Sequence, residues 1–264
     1  MTTIQAIILA IVEGLTEFLP VSSTAHMKFT NPIIGVQNTP FSDMFEIVIQ
    51  LAAILAVVVV YYKKFFDFSR INFYIRLIVA VIPALVIGGL FKKRIDHFLD
   101  NLWFIACVMI AGGIVFLYID RIFRHPKVDD ESKVSYRTAF KIGCFQVLSI
   151  IFPGLSRSAS TILGGMSQGL SRRAAAEFSF FLAVPTMLAA SAKSFLDVYK
   201  EHPESLSKDN FTLLGLASVI TFVVSIIVIR YFIGFLKRHG FRVWGYYRIV
   251  IGLTMLILLW RGVI

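Results

Sequence analysis

The segment at positions 13–26 reads EGLTEFLPVSSTAH and sets two carboxylates, a run of three hydroxyls and an imidazole within strongly apolar sequence. A second polar segment, PGLSRSAST at positions 153–161, interrupts apolar sequence in the other half of the chain. Ionisable side chains are costly at membrane depth and are usually functional there. We therefore expect the acidic segment (13–26) and the arginine segment (153–161) to meet inside a membrane and to bind a phosphate group.

The composition indicates an all-α polytopic membrane protein. The 264 residues are 57% hydrophobic and 16% charged, with a mean hydropathy of +0.78, whereas soluble domains are roughly 45–50% apolar and about 25% charged. Apolar runs of about twenty residues recur, which is the length that a bilayer core requires. The net charge of +10 does not indicate nucleic-acid binding, because no basic stretch is interleaved with aromatic residues in a soluble region.

Ten apolar segments divide the chain into two similar halves. Residues 3–19 and 21–34 form a short pair broken at Pro20, and residues 138–152 and 156–170 form a second pair broken at Pro153. Six longer segments follow these pairs in two groups of three: 42–62, 73–91, 102–119, 174–196, 211–235 and 243–260. The pattern predicts a single membrane domain over 1–264, with repeat one at 1–122 and repeat two at 137–264.

The short pairs are too short for two crossings each, which favours two re-entrant helical hairpins beside six transmembrane helices. Three crossings per half are an odd number, so the second half would be inverted relative to the first. Inverted repeats with interrupted segments at matching positions point to a binding site near the midplane. The alternative is that all ten segments span the membrane.

Basic residues in the loops predict the orientation. One side holds thirteen of them: Lys63, Lys64, Arg70, Arg121, Arg124, Lys127, Lys133, Arg137, Arg172, Arg173, Lys237, Arg238 and Arg242. The other side holds six: Lys92, Lys93, Arg94, Lys200, Lys208 and Arg261. Since Lys and Arg are enriched in cytoplasmic loops, the first side is predicted to be cytoplasmic, and both termini to face outward.

The acidic segment offers a carboxylate pair and a hydroxyl-imidazole group. Glu13 and Glu17 are four residues apart, so they share a helix face and suit either acid–base chemistry or a hard divalent cation. Ser22, Ser23 and Thr24 are expected to open a half-helix, whose free N–H groups attract anions. His26 follows Ser23 by three residues, and a serine beside a histidine suits nucleophilic catalysis. Interhelical hydrogen bonding is the alternative role for each hydroxyl.

The arginine segment repeats this layout. Ser156, Ser158 and Thr161 are expected to line the start of a second half-helix and to bind phosphate oxygens. Arg157 carries a planar fork of donors that suits phosphate, although it could equally be the counter-ion of Glu13 or Glu17. The three other ionisable residues at membrane depth have no assigned role: Glu46, Glu177 and Arg248. The last two could pair with each other.

The charges favour phosphoryl transfer over other chemistry. A fixed cation, two helix N-termini, two carboxylates and candidate nucleophiles provide the positioning and charge neutralisation that this reaction requires. A site within the membrane implies a phosphate carried by a lipid.

The two segments resemble the signature motifs of the undecaprenyl-diphosphate phosphatases, the bacitracin-resistance membrane family. The resemblance extends to FEIVIQ at 45–50, IGCFQ at 142–146 and EFSFFLAVP at 177–185. It implies hydrolysis of undecaprenyl diphosphate at the outer side of the bacterial inner membrane, with dependence on Mg²⁺ or Ca²⁺. By motif, Glu13 and Glu17 fill the acidic part, Ser23 and His26 the hydroxyl-imidazole part, and Arg157 is the phosphate-binding arginine. Our hypothesis is that Glu13 and Glu17 bind the divalent ion or manage protons, and that Glu17, Ser23, His26 and Arg157 are catalytic.

The nucleophile and the class of activity have open alternatives. Ser23, His26 or a metal-activated water attacks phosphorus, and the sequence does not choose among them. The rival class is a transporter or flippase for polyprenyl phosphates, which the inverted repeat itself suggests. The sequence also leaves the oligomeric state open, a homodimer included.

Overall fold

The computed structural model describes residues 1–99 and 101–264, except for the side chains of residues 68, 91–99 and 237. The basic side chains predicted at Lys92, Lys93, Arg94 and Lys237 thus lie outside the described part. Eleven α-helices occur in the described chain: α1 Thr3–Thr16, α2 Ser23–Ile34, α3 Pro40–Val60, α4 Tyr62–Phe65, α5 Ile71–Leu99, α6 Leu102–Ile122, α7 Tyr136–Ile151, α8 Arg157–Ser167, α9 Arg172–Glu201, α10 Lys208–His239 and α11 Arg242–Trp260. Short 3₁₀ turns lie at 68–70, 131–133 and 203–205.

Six helices are long and apolar enough to cross a membrane, which confirms the six longer segments as candidate spans. They are α3, α5, α6, α9, α10 and α11. The apolar windows predicted at 174–196 and 211–235 lie inside longer helices, since α9 has 30 residues and α10 has 32. Hydropathy marks only the lipid-facing part of a helix, and both of these helices continue beyond it into polar sequence.

The two short pairs are each broken at the position that the sequence indicates. α1 ends at Thr16 and α2 begins at Ser23, which leaves the first break at residues 17–22. α7 ends at Ile151 and α8 begins at Arg157, which leaves the second break at residues 152–156. In both cases the half-helix after the break starts in the acidic or the arginine segment, so the two polar segments coincide with helix N-termini.

The two ends of the first short pair lie together. Gln5 in α1 donates from Nε2 to the carbonyl of Ile34 at the end of α2, at 2.9 Å. The ends of the second pair contact other segments: Leu170, just after α8, forms an isolated bridge with Val128, and Tyr136 at the start of α7 donates to Asn72 at 3.1 Å. The contact of Gln5 with Ile34 suits a first hairpin that begins and ends on one side. The re-entrant insertion itself stays a prediction.

Helices of the first half of the chain pack against helices of the second half. α1 packs against α10 and α7 packs against α5, while α3 contacts α9 and α6 contacts α11. A glycine allows the close approach of α1 to α10, and another allows that of α7 to α5. A Cβ on Gly14 would meet Val224 of α10 at 2.8 Å, and one on Gly143 would meet the backbone of Ala80 in α5. Small residues allow such approach between membrane helices. The inverted repeat and its boundaries stay predictions.

A phenylalanine-rich core fixes the acidic segment against α9. Phe18 in the first break is fully buried and meets the ring of Phe180 edge-on, with centroids 5.2 Å apart. Phe178 and Phe181 are also fully buried on α9. Edge-to-face aromatic pairs contribute about 0.5–1.5 kcal/mol beyond their burial. This packing holds the first break beside the middle of α9, next to the arginine segment.

Candidate active site

Three of the predicted site residues form one connected group. Arg157 donates from Nη2 to Oε1 of Glu17 at 2.7 Å, and Ser23 donates from Oγ to Oε2 of the same carboxylate at 2.5 Å. Glu17 and Ser23 are buried, and the Arg157 side chain is 13% exposed. Arg157 also lies 3.3 Å, through Nη1, from the carbonyl of Ser179 in α9. The structure therefore brings the acidic and arginine segments together across 140 residues of sequence.

A small cavity of about 70 Å³ lies at this junction. Its lining residues are Glu17, Ser22, Ser23, Thr24, Gln50, Ser156, Arg157, Ser158 and Met187. The N-termini of α2 and α8 both meet it, so their free N–H groups and helix dipoles favour an anion there. Gln50 ends the FEIVIQ segment at 45–50 but has no predicted role there, and Met187 lies outside the quoted segments, so their position in the fold is what places them at the cavity.

Ser22 and Ser156 cap the two half-helices in the same way. The Ser22 hydroxyl accepts from the N–H of Ala25, and the Ser156 hydroxyl accepts from the N–H of Ala159, each at 3.3 Å. Both serines have positive φ, 70° and 77°, and they are the only non-glycine residues with positive φ in the described chain. Such backbone strain costs of order 1–3 kcal/mol per residue and clusters at functional sites.

Ser158 joins the two breaks, and Thr161 points elsewhere. The Ser158 hydroxyl lies 3.0 Å from that of Ser156 and donates to the carbonyl of Leu19 at 3.2 Å. Thr161, expected to bind phosphate, is buried, with its hydroxyl 2.6 Å from that of Ser179. Thr161 is not among the residues that line the cavity. Its contact instead orients the stretch of α9 whose carbonyl meets Arg157.

His26 is held apart from Ser23. Its Nδ1 lies 2.7 Å from the carbonyl of Ser22, and its Nε2 lies 2.9 Å from the hydroxyl of Tyr247 in α11. The two rings are also stacked, with centroids 5.7 Å apart. Because a carbonyl only accepts, the N–H sits on Nδ1 and the tyrosine donates to Nε2. The expected serine–histidine contact is replaced by the contact of Ser23 with Glu17.

Glu13 is a buried carboxylate without a hydrogen-bond partner. It is fully buried, and neither of its oxygens has such a partner within the described residues. Glu17, Glu46 and Arg157 are its electrostatic neighbours. Glu46 itself is buried and accepts from the Asn31 amide at 2.6 Å. Buried carboxylates require a proton, a cation or donors, so Glu13 is the residue best suited to hold a cation beside Glu17.

Arg248 connects the two breaks from the last helix. This fully buried guanidinium donates to the carbonyls of Pro20 and Leu155 at 3.0 Å, of Gly154 at 2.9 Å, and of Met109 in α6 at 3.2 Å. Three of these four carbonyls, those of Pro20, Gly154 and Leu155, belong to the breaks. We call this contact the Arg248 clamp. The sequence marks Arg248 only as an ionisable residue at membrane depth and does not predict this role.

The pair considered between Glu177 and Arg248 does not form. Glu177 accepts from Lys64 at 2.8 Å and from Arg173 at 2.7 Å, near the start of α9. Lys64 also meets Glu131 at 2.9 Å in the loop before α7. Burial raises the pKa of the Glu131 carboxyl, although Lys64 opposes this shift. Glu177 therefore belongs to an ion-pair network that ties α4, α9 and this loop together, away from the breaks.

The fold and the site define a multi-pass helical membrane protein with an arginine–carboxylate pocket built from two broken helix pairs. Comparison with known families gives a particular assignment. The profile of the family described as "Bacitracin resistance protein BacA" matches residues 6–254, so the chain belongs to this family. The resemblance of the two polar segments is thereby confirmed.

Individual relatives agree along almost the whole chain. A protein of Porphyromonas gingivalis (strain W83) named undecaprenyl-diphosphatase is 46% identical over 100% of this chain and 99% of its own length. A protein of Flavobacterium psychrophilum with the same name is 49% identical over 98% and 96%. Undecaprenyl-diphosphatase 1 of Clostridioides difficile is 43% identical over 96% and 94%.

Proposed function

We propose that this protein hydrolyses undecaprenyl diphosphate to undecaprenyl phosphate and inorganic phosphate, and so recycles the lipid carrier of cell-wall synthesis. The observation that carries the proposal is the Arg157–Glu17–Ser23 group at the junction of two helix N-termini. The relatives described above carry the name of this activity. They give no support to the transporter alternative.

The terminal phosphate is bound by the α8 side of the cavity. Arg157 uses Nη2 for Glu17, and a guanidinium has five N–H donors in all, so others remain for phosphate oxygens. The hydroxyls of Ser156 and Ser158, together with the N–H groups at the start of α2 and α8, complete an anion site. The strained caps at Ser22 and Ser156 fix these donors before substrate binds, as electrostatic preorganisation requires.

Glu17 is the proton acceptor in this mechanism, and Ser23 is the side chain best placed to attack. As the Ser23 oxygen bonds to the terminal phosphorus, its proton passes to Glu17, and the bond from phosphorus to the bridging oxygen breaks. Undecaprenyl phosphate leaves, and water then hydrolyses the phosphoserine. A water molecule at the same position could be activated by Glu17 in one step. Attack by His26 would require its ring to leave Ser22 and Tyr247.

A divalent cation, Mg²⁺ or Ca²⁺, fits the carboxylates Glu13 and Glu17. No three His, Cys, Asp or Glu side chains of the described chain converge as a metal site. Mg²⁺ is typically bound by one or two carboxylates together with substrate phosphates and water, so two glutamates suffice. Such a cation would neutralise charge on the phosphate oxygens.

A Glu13→Gln variant should need a higher Mg²⁺ concentration for half-maximal activity. An unchanged Mg²⁺ requirement would show that Glu13 does not bind the cation.

The proposed location is the bacterial inner membrane, with the cavity opening to the outer side. Support comes from the six candidate spans and from the excess of basic residues on the opposite side under the positive-inside rule. The partner is a polyprenyl diphosphate lipid in the membrane, without nucleic acid. A homodimer stays open.

The decisive experiment measures inorganic phosphate released from a polyprenyl diphosphate by the detergent-solubilised protein with Mg²⁺ or Ca²⁺. We expect release by the native chain and strong loss in Arg157→Gln. Arg137→Gln, which removes an exposed arginine at the start of α7, is the matched control. A transporter would move the lipid without releasing phosphate. Absence of release with either cation would refute the proposal.

A further inference from the structure

Gln50 is a polar side chain in the middle of a candidate membrane span. It is the eleventh of the 21 residues of α3, and the sequence on both sides of it is apolar. Glutamine side chains in membrane helices usually form hydrogen bonds with a neighbouring helix, but the Gln50 amide forms none within the described residues. It lies instead on the lining of the cavity at the breaks. Its two N–H donors are therefore available to a ligand in that cavity.

Thr24 is the second uncommitted side chain of this lining. A threonine inside a helix often donates to the carbonyl four residues earlier, as Thr30 does to His26 at 2.6 Å. For Thr24 that carbonyl belongs to Pro20, which accepts from Arg248 at 3.0 Å, and the Thr24 hydroxyl forms no hydrogen bond in the described part of the chain. The other polar side chains of the lining each have a hydrogen-bond partner in the protein.

Gln50 and Arg157 approach the cavity at different levels of α9. Arg157 lies beside the carbonyl of Ser179, whereas Gln50 follows by three residues Ile47, whose carbonyl accepts from Ser191 at 3.0 Å. The two serines are twelve residues apart on α9, which is about 18 Å at 1.5 Å per residue. Because α3 and α9 run antiparallel, the step from residue 47 to residue 50 reduces this axial separation to about 14 Å. The two long side chains therefore reach one cavity from its two ends.

The two ends of the cavity also differ in charge. Arg157 brings a cation to one end, whereas Gln50 and Thr24 bring neutral donors. A lipid diphosphate has a terminal phosphate with the larger charge and an inner, lipid-linked phosphate with a single charge. When the bond from the terminal phosphorus to the bridging oxygen breaks, that oxygen keeps the electron pair, and the inner phosphate gains a second negative charge. Donors directed at a group that gains charge in the transition state raise kcat.

We propose that Gln50, together with Thr24, binds the lipid-linked phosphate of the substrate and stabilises the leaving oxygen, and that this contact favours lipid diphosphates over phosphate monoesters. The inference rests on the proposed hydrolysis, because it assigns the second phosphate of that substrate. A ligand without an inner phosphate, such as inorganic phosphate, gains nothing from Gln50.

Two pairs of variants test this role. Gln50→Met removes both donors and keeps a side chain of similar length, and its control is Gln37→Met at an exposed glutamine. Thr24→Val removes the hydroxyl and keeps the branched shape, and its control is Thr3→Val at an exposed threonine. Neither control side chain forms a hydrogen bond within the described residues.

The assay follows the conversion of geranylgeranyl diphosphate to geranylgeranyl phosphate by chromatography, with the full-length protein in detergent and Mg²⁺ or Ca²⁺ present. Inorganic phosphate is added as an inhibitor, because it fits the terminal phosphate site alone. Thermal unfolding of each variant is recorded beside the kinetics.

We expect Gln50→Met to lower kcat at least tenfold and to leave the inhibition constant of inorganic phosphate unchanged. Thr24→Val should lower kcat by about threefold or more with the same inhibition constant, and both controls should match the native chain. These two readouts separate a contact with the inner phosphate from general damage to the site, which would weaken inhibition as well.

Three results would overturn the proposal while the native chain is active. A native kcat in Gln50→Met would show that the amide does not act in the reaction. A rise in the inhibition constant equal to the fall in kcat would place Gln50 on the terminal phosphate. Phosphoserine that accumulates in Gln50→Met would assign the amide to the attacking water. A native chain that forms no geranylgeranyl phosphate with either cation would refute the proposed hydrolysis itself, and this inference with it.

Discussion

Arg157 is the residue on which most of the candidate site depends, because its guanidinium contacts both Glu17 and the α9 backbone. Lysine would keep the charge and lose the fork. We expect Arg157→Lys to lower kcat/KM by at least about tenfold, which corresponds to about 1.4 kcal/mol of transition-state stabilisation. Phosphate release in the detergent assay measures this, with Arg137→Lys as control. Unchanged kinetics would mean that Arg157 does not contact the phosphate.

Replacement of Ser23 by alanine distinguishes attack by the serine from attack by water. If its oxygen attacks phosphorus, Ser23→Ala should reduce kcat by about 100-fold or more, as removal of a nucleophile does, and native protein quenched during turnover should carry phosphoserine. If water attacks, the loss should be small, because Glu17 keeps its contact with Arg157. Near-normal turnover in Ser23→Ala would exclude the serine mechanism.

At the scale of single residues, the sequence predicts chemistry better than geometry. Glu17, Ser23 and Arg157 are identifiable because each is polar within apolar sequence, and the structure brings them together. The positive φ of Ser22 and Ser156 is not predictable from residue type, since glycine is the usual residue there. The contact of His26 with Tyr247 also escapes prediction, because it joins positions 221 residues apart.

The Arg248 clamp holds the two breaks in position, and Gly112 in α6 leaves the space that the Arg248 guanidinium occupies. A Cβ on Gly112 in α6 would lie 3.1 Å from the Arg248 Cζ. We expect Gly112→Ala to displace the guanidinium and to lower kcat about tenfold, since misplacement by about 1 Å can cost up to about 100-fold. KM should change less, because the phosphate donors of Arg157 remain.

The matched control is Gly234→Ala in α10, where an added Cβ meets nothing within 4 Å. Steady-state kinetics of phosphate release measure both variants at equal protein concentration. A normal kcat in Gly112→Ala, with an unchanged melting temperature, would show that the clamp tolerates displacement and does not position the breaks.

Element boundaries are predictable where they involve proline or a cap, and less so elsewhere. Thr39 caps α3 just before Pro40, and the predicted start at residue 42 is close. The end of α5 at Leu99 lies eight residues beyond the predicted end at residue 91. Polar sequence ends a hydropathic segment without ending a helix, because Lys and Arg are good helix formers.

For the whole molecule, the loop charges predict a fixed orientation. Single cysteines at Asn38 and Lys133, introduced after replacement of Cys107 and Cys144 by serine, should report it. A membrane-impermeant maleimide should label Asn38→Cys in intact spheroplasts and label Lys133→Cys only after permeabilisation. Each site is exposed in the structure. The reverse labelling pattern would show that the predicted orientation is inverted.

Sequence analysis predicts part of the overall architecture. The number of long helices follows from hydropathy alone, because each must match the bilayer thickness. The contact of α1 with α10 does not, since it joins segments about 200 residues apart through the space at Gly14.

The Arg248 clamp also has a consequence for biogenesis. Arg248 lies on α11, which leaves the ribosome after the segments that it connects, since two of the carbonyls that it binds precede it by about 90 and 230 residues. A nascent chain that stops before α11 therefore inserts both polar segments without the side chain that holds them together. We therefore expect a chain that terminates before α11 to be inert rather than partially active, even though it contains both polar segments.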